Sequence, residues 1–268
     1  MICARRVALD GNQLDQANSA VVIQSIEAGD GKENFSAISL AGGYGQRVTG
    51  HHRDTVDIVV RFALKIRNTS LSSRATALED VNTWAARAAN GAWLTVNYKT
   101  NRRIWVTLVQ APGEGSIWDY TKEFQITFRA YGVPYWEEIE ASSTASLTAG
   151  TLKTGTISVG GNADTVADVS FENESQNTVN TCTIAVDGNS FNFDSLGLAA
   201  GETLVISHEN NGLLKIRILD TNEAYRDAMS KRLPTSADDL RCRTGTRSIS
   251  FTSDYSCSMD VSCKGRFL

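Results

Sequence analysis

Histidine is the first residue type to consider, because it serves both as a metal ligand and as an acid–base group near neutral pH. The chain has three histidines, of which His51 and His52 are adjacent and His208 stands alone. Neighbouring side chains on an extended chain point to opposite faces, so this pair is not expected to share a metal ion. The sequence predicts a pair of loop histidines and no metal site.

Carboxylates and nucleophiles are the other groups that could do chemistry. Paired carboxylates occur at Glu137-Glu138 and at Asp238-Asp239. A glycosidase needs two carboxyl groups ~5–9.5 Å apart across a cleft, and nothing in the sequence identifies such a pair. No serine lies in a Gly-x-Ser-x-Gly turn, and no cysteine–histidine pair has a catalytic context. We therefore predict no catalytic residue, no cofactor and no enzymatic activity. A hydrolase or esterase on a β-sandwich stays an alternative, although we identify neither the carboxylate pair nor the catalytic triad that it would need.

A glycine-rich segment, Gly42-Gly43-Tyr44-Gly45, invites comparison with loops that bind phosphate groups. The third glycine of a dinucleotide fingerprint is replaced by Val48, and Val56 opens a strand where a helix would be needed. The segment is therefore expected to be a loop between strands.

Charge and hydropathy exclude several classes of protein. The 268 residues carry 26 Lys and Arg against 30 Asp and Glu, a net charge of −4, with no basic run typical of nucleic-acid binding. No apolar stretch approaches the ~18–20 residues that span a bilayer, and the N-terminus lacks the apolar core of a signal peptide. We expect a protein made in the cytoplasm, without membrane insertion or nucleic-acid specificity.

The five cysteines are odd in number and form no Cys-x-x-Cys pair. Without secretion, a disulfide framework is not expected. The sequence predicts five free thiols, including Cys257 and Cys263.

The elements that position these residues are mostly strands. Apolar residues alternate from Val56 to Ile66 and again from Phe124 to Phe128 and from Leu214 to Ile218. Many short strands separated by Gly, Asn and Asp indicate antiparallel sandwiches or barrels. The apolar spacing from Leu71 to Ala88 instead predicts an amphipathic helix of about 15–20 residues, ending near Gly91. A weaker helical pattern covers Asn222–Arg232.

Composition changes after Glu138. Half of the positions from Ala141 to Thr156 are Ser or Thr, and all five tryptophans precede this stretch. We predict a first domain over residues 1–139, a linker and first-strand region over 140–156, and a second β-domain over 151–268.

The first half resembles a known family in the order and spacing of its motifs. A glycine-rich loop, the alternating strand and the helix with Trp84 come first, and an aromatic strand with a Pro-Tyr-Trp-Glu-Glu end comes last. The matching segments are Thr55–Ile66, Leu94-Thr-Val-Asn97, Arg102-Arg-Ile-Trp-Val-Thr-Leu108 with Pro112, Phe124-Gln-Ile-Thr-Phe128-Arg-Ala-Tyr131 and Val133-Pro-Tyr-Trp-Glu-Glu138. Together they resemble the distal tail proteins of long, non-contractile bacteriophage tails and their prophages.

The resemblance implies a structural protein of the virion tail tip. It implies a β-sandwich "belt" domain with one helix, closing into a hexameric ring, and a C-terminal galectin-like or carbohydrate-module-like β-sandwich. It also implies partners: further copies of the chain, the tail tube protein, the tail-tip hub protein and receptor-binding proteins. The aromatic residues beside loops, Trp118, Tyr135 and Trp136, are the candidate interface residues.

Two other functions stay open. The second half could be a carbohydrate-binding module that recognises host-surface glycans, although it has no tryptophan to stack on a sugar ring and no galectin signature. The chain could also be another minor tail component.

Overall fold

The computed structural model describes residues 5–29, 31–39, 46–65, 71–113 and 123–268. The chain divides into two compact units, Met1–Trp136 and Glu137–Leu268. Strands dominate both, so the predicted mainly β fold class is confirmed.

The first unit is a mostly antiparallel β-structure with one long helix. Its strands are β1 (Val7–Leu9), β2 (Asn12–Gln13), β3 (Val21–Ala28), β4 (Glu33–Ser39), β5 (Gln46–Arg53), β6 (Val56–Leu64), β7 (Ala92–Val96), β8 (Arg102–Gln110) and β9 (Phe124–Ala130), and β10 (Trp136–Glu138) lies at the unit boundary. Its helices are α1 (Leu14–Ala17) and α2 (Leu71–Ala86).

Seven of these strands form one path in the order β2-β1-β7-β8-β9-β6-β3. The alternation in β6 buries Val56, Ile58, Val60 and Phe62, as predicted. The strand ends at Leu64, two residues before the predicted end. β8 pairs with β7 over its first half and with β9 over its second half, so it joins the two halves of the sheet.

Helix α2 covers 16 residues, in agreement with the predicted length. It buries Leu78, Val81 and Trp84, and the rings of Trp84 and Phe128 pack edge to face at a centroid distance of 6.0 Å. Gly91 follows with a φ of +97°, and a Cβ there would lie 2.6 Å from the Trp105 ring. Glycine is needed here both for the backbone conformation and for this close approach.

Strands β4 and β5 pair only with each other among the described residues. His51 and His52 lie within β5, so the prediction that they occupy a loop is wrong. These residues stay extended because β5 pairs with β4 as far as Arg53. The polar sequence of this stretch gives no sign of that pairing. The loop predicted at Gly42–Gly45 lies outside the described residues.

The second unit is an all-β sandwich. Its strands are β11 (Ser143–Val159), β12 (Thr165–Asn173), β13 (Cys182–Val186), β14 (Asn189–Phe193), β15 (Thr203–His208), β16 (Leu214–Leu219), β17 (Tyr225–Asp227), β18 (Arg241–Cys242), β19 (Gly245–Cys263) and β20 (Arg266–Phe267).

Two long strands hold this sandwich together. β19 pairs with β13 through Ile249–Ser253 and with β12 through Cys257–Cys263, while β11 follows it along its other side. β19 thus has three strand neighbours within one nine-stranded sheet. The core between the layers includes Phe171 and Phe251, whose rings meet edge to face at 5.2 Å.

Two predictions of local structure need correction or refinement. The weak helical pattern over Asn222–Arg232 is wrong, because this stretch forms β17 and a single 3-10 turn at Met229–Lys231. Pairing of β17 with β16 overrides the local pattern. In the Ser/Thr-rich region predicted as linker and first strand, strand structure begins already at Ser143. Threonine favours strands through its β-branched side chain.

Candidate functional site

The predicted interface residues Tyr135 and Trp136 follow a buried Val133-Pro134 pair at the end of the first unit. Tyr135 is half-buried, whereas Trp136 is only 3% exposed. Trp118 lies outside the described residues. The structure therefore describes two of the three candidates, and these are chain neighbours.

Each of the two rings lies beside a cation supplied by a distant part of the first unit. The Arg53 guanidinium carbon is 5.1 Å from the centre of the Tyr135 ring. The Lys99 ammonium is 4.8 Å from the centre of the Trp136 ring. A cation over an aromatic face is attracted by the negative potential of that face, most strongly where water is excluded.

Lys99 lies in the turn between β7 and β8, and Arg53 ends β5. Burial lowers the pKa of Lys99, and the charges of Arg102 and Arg53 lower it further. These residues thus form a basic cluster beside the two rings. No sequence signal pairs Arg53 or Lys99 with residues 135 and 136, because they are separated by tens of residues.

The burial of Trp136 limits its capacity to contact another chain. A ring that is 3% exposed in one chain has little surface left to offer a second chain. Tyr135 retains accessible surface, so it is the better candidate for an intermolecular contact. The interface role of the three aromatic residues stays a prediction.

A second cluster of functional groups lies in the second unit, around His208. Its Nδ1 is 2.9 Å from Asp168 Oδ1 and its Nε2 is 2.8 Å from Asp239 Oδ1. Its side chain is 7% exposed. Both partners are carboxylates, so the imidazolium, with two N–H groups, is the form that donates to both.

The protonation of His208 follows from this geometry. Burial by itself would lower the pKa of His208, but the hydrogen bonds and charges of Asp168 and Asp239 raise it to about 9. For Asp239, burial opposes ionisation, and the His208 hydrogen bond and charge lower the pKa below its usual value. The cluster joins β15, β12 and the loop before β18, as a structural ion pair would.

An open groove of about 330 Å³ lies on the outer face of the second unit, beside Asp168. Side chains of β11, β12, β15 and β19 line it, including Ser170, Ser207, Asp260 and Ser262. Hydroxyl and carboxyl groups can hydrogen-bond a sugar, but no aromatic residue lines the groove. Stacking on an aromatic face, a common means of holding a sugar ring, is therefore absent from it.

In the described ranges, no group of three His, Cys, Asp or Glu side chains is arranged so that it could hold a metal ion. Nor does any described helix have the length and apolar character needed to cross a membrane.

The fold defines the class: a mainly β protein of two units, the first with a helix on its sheet and the second a pure sandwich. The crystal structure of the SPP1 Dit (gp 19.1) protein, described as a paradigm of the hub adsorption apparatus in phages that infect Gram-positive bacteria, has this fold. The similarity covers 98% of this chain and 99% of that chain, with a TM-score of 0.67 and 14% sequence identity. It agrees with the family resemblance seen in the sequence.

Two chains of the phage P2 baseplate in its activated conformation, one with Ca and one with Sr, are also similar. Their TM-scores are 0.48 and 0.49 at 11% identity, with coverage of 99% and 97% of this chain and 98% and 97% of theirs. No protein-family model matches the sequence, and no curated protein matches it.

Proposed function

We propose that this chain is a structural, non-enzymatic distal tail protein of a bacteriophage or prophage. The observation that carries the proposal is the full-length similarity of its two-unit fold to the SPP1 Dit protein. The sequence adds the ordered motifs of the first half, which end in Pro134-Tyr-Trp-Glu-Glu138. We expect the chain at the virion tail tip, assembled there from the host cytoplasm.

The proposal includes a homo-hexameric ring formed by the first unit. Strand β3 supports it, because it ends the strand path among the described residues and its Val22, Ile23 and Ile26 are only half-buried. An apolar edge strand with unpaired backbone groups is a site for pairing with another chain. The near-balance of basic and acidic residues also suits contacts between copies of one chain.

The ring would join the tail tube protein to the tail-tip hub, and the second unit would provide a surface for receptor-binding proteins. Assembly of identical chains by a head-to-tail contact gives either a closed ring or an open filament. A closed ring is the arrangement that a tube end requires.

Glycan binding by the second unit is the competing function. The hydroxyl-rich groove beside Asp168 and Asp260 favours it, and the absence of aromatic residues from that groove counts against it. Binding of residues 137–268 to a glycan array, lost on Asp260→Ala, would establish this alternative.

The mass of the purified chain in solution, with negative-stain images, tests the ring. We expect a six-fold ring, formed either by the free protein or on added tail tubes. Separate expression of residues 1–136 and 137–268 assigns the contact, which we expect in the first piece. Ring formation by the second piece alone, with a monomeric first piece, would refute the assignment.

A further inference from the structure

Strand β11 forms an edge of the second unit along its whole length. It pairs only with β19, from Ser143 opposite Cys263 to Val159 opposite Gly245. On its other side, the backbone N–H and C=O groups of alternate residues have no strand partner within this fully described unit. Such a row of groups is a template on which another extended chain can pair.

The other edges of the unit are built differently. The main strand path ends at β14, which has five residues, and at β17, which has three. Short edge strands are one of the means by which proteins prevent association through their sheets. β11 has 17 residues, about three times the usual strand length. It contains no proline.

The protection that β11 does have is confined to its middle. The pairing register shifts between Leu147 and Leu152. Lys153, the only charged residue of the strand, lays its side chain across Gly150, where a Cβ would meet it. Bulges discourage pairing at an edge, and so does a lysine that meets no counter-charge on the added strand. From Leu152 to Val159 the register is regular and the edge is long enough to pair.

The side chains of this regular segment suit contact with another strand. Leu152 is 63% exposed, and Thr154 and Thr156 beside it are exposed as well. A strand added at this edge would cover the leucine and pack against the threonine methyl groups. Water would be displaced from apolar surface that the isolated unit leaves uncovered.

Lys153 indicates the charge of the partner. No carboxylate pairs with its ammonium in the part of the chain that the structure describes, and the segment from Leu152 to Val159 has no acidic residue. A second copy of the same segment would therefore leave the ammonium without a counter-charge. A segment with Asp or Glu opposite Lys153 would supply one.

We propose that the outer edge of Leu152–Val159 docks an extended segment of a different polypeptide, which adds a strand beside β11 and places a carboxylate against Lys153. This site goes beyond the proposed tail-tip role and does not depend on ring formation. Because the second unit carries the edge in every copy, the docking is tested on the full chain whether or not a ring forms.

The probe is an acetylated, amidated peptide of about nine residues, alternating threonine and valine with one central glutamate, which spans ~30 Å as a strand. Hydrogen exchange on the full chain should show protection of alternate amides of Leu152–Val159 when the peptide is added. The matched control peptide carries N-methyl groups on alternate amides. It should bind at least about tenfold more weakly, because it cannot form all of the backbone hydrogen bonds with β11.

Charge reversal tests the partner chemistry. A second peptide carries lysine in place of the central glutamate. The unchanged chain should bind the glutamate peptide about two- to fivefold more tightly than the lysine peptide, and Lys153→Glu should reverse this preference by a similar factor. Lys231→Glu, which makes the same charge change at an exposed residue outside the strands, should leave the preference unchanged.

The proposal would be overturned by protection at β14 or β17 instead, by equal binding of the N-methylated peptide, or by no binding. Protection of the edge without peptide, rising with protein concentration, would identify a second copy as the occupant and overturn it as well. A failure here leaves the ring proposal intact, since light scattering measures that separately.

Discussion

The His208 ring is held between two carboxylates, and its Nε2 lies 2.8 Å from Asp239 Oδ1. The other ring nitrogen contacts Asp168, whose Oδ1 also accepts the backbone N–H of His208 at 3.1 Å. The second unit thus contains one buried cation that two anions stabilise. Its stability should therefore depend on pH in a defined way.

The stability of the second unit should fall between about pH 6.5 and pH 9. The pKa of His208 is about 9 in the folded chain, against 6.5 for an unperturbed histidine. Its stabilisation is therefore complete below about pH 6.5 and is lost as pH rises through 9, amounting to on the order of 3 kcal/mol. Hydrogen exchange of β12 and β15 at several pH values measures this loss.

His208→Gln is the control for the pH effect, because glutamine keeps a hydrogen-bonding group without a titrating charge. It should lower stability at pH 6 and make stability nearly constant from pH 6.5 to 9. Tryptophan fluorescence cannot serve here, since all five tryptophans precede residue 137. An unchanged pH dependence in the variant would show that another group is responsible.

Gly161→Ala should be more destabilising than Gly188→Ala. Both glycines have positive φ, +95° and +82°. A Cβ at Gly161 would collide with the backbone of Arg266, whereas nothing lies within 4 Å of one at Gly188. At Gly188 we expect the free energy of unfolding to fall by ~1 kcal/mol, from the backbone conformation alone. At Gly161 it should fall by at least ~2 kcal/mol more, because the backbone of Arg266 must move. Denaturant unfolding of both variants measures the difference.

Tyr135→Ala should weaken ring formation while leaving the first unit folded. Tyr135 is half-buried, so we expect a loss of folding stability of only ~1 kcal/mol, against ≥2 kcal/mol at a subunit contact. Tyr131→Ala is the matched control, because that tyrosine also has an arginine near its ring and is 56% exposed. Light scattering compares the two, and equal assembly of both variants would argue against the predicted contact.

Trp136→Ala should instead act through folding stability. The ring is 3% exposed, and its truncation leaves a cavity that typically costs ~3–5 kcal/mol. Thermal unfolding followed by tryptophan fluorescence should show a lower midpoint. Were the midpoint unchanged and only assembly affected, Trp136 would be an intermolecular contact after all.

Thiol titration should find five free cysteines under denaturing, non-reducing conditions. The structure describes four, Cys182, Cys242, Cys257 and Cys263, all buried and free, and Cys3 lies outside the described residues. Burial raises the pKa of Cys257 to about 11, so the native protein should react slowly at pH 7. A count of three thiols would indicate a disulfide.

The strands with strict alternation were the most predictable elements. In β6 every second residue is apolar from Val56 onward, and burial follows this alternation. Helix α2 was equally predictable, because its apolar residues recur every three or four positions and Gly91 follows its end. Local patterns sufficed where one face of an element is buried and the other is wet.

Long-range features were not predictable from one sequence. The cations beside Tyr135 and Trp136 come from Arg53 and Lys99, which no local pattern connects to them. Likewise, no local pattern connects Asp239 with His208, and only the fold brings the two side chains together. Pairing between segments far apart depends on how the whole chain is arranged.

The pairing of β11 with β19 has a consequence for synthesis. Ser143, at the start of the second unit, takes its place opposite Cys263, 120 positions later in the chain (263 − 143). Contacts of such separation slow folding, because a long loop must close before they form. The second unit therefore cannot complete its fold on the ribosome until Cys263 has emerged. Until Gly245 and the residues after it emerge, the nascent chain holds β11 without a partner, exposed to aggregation.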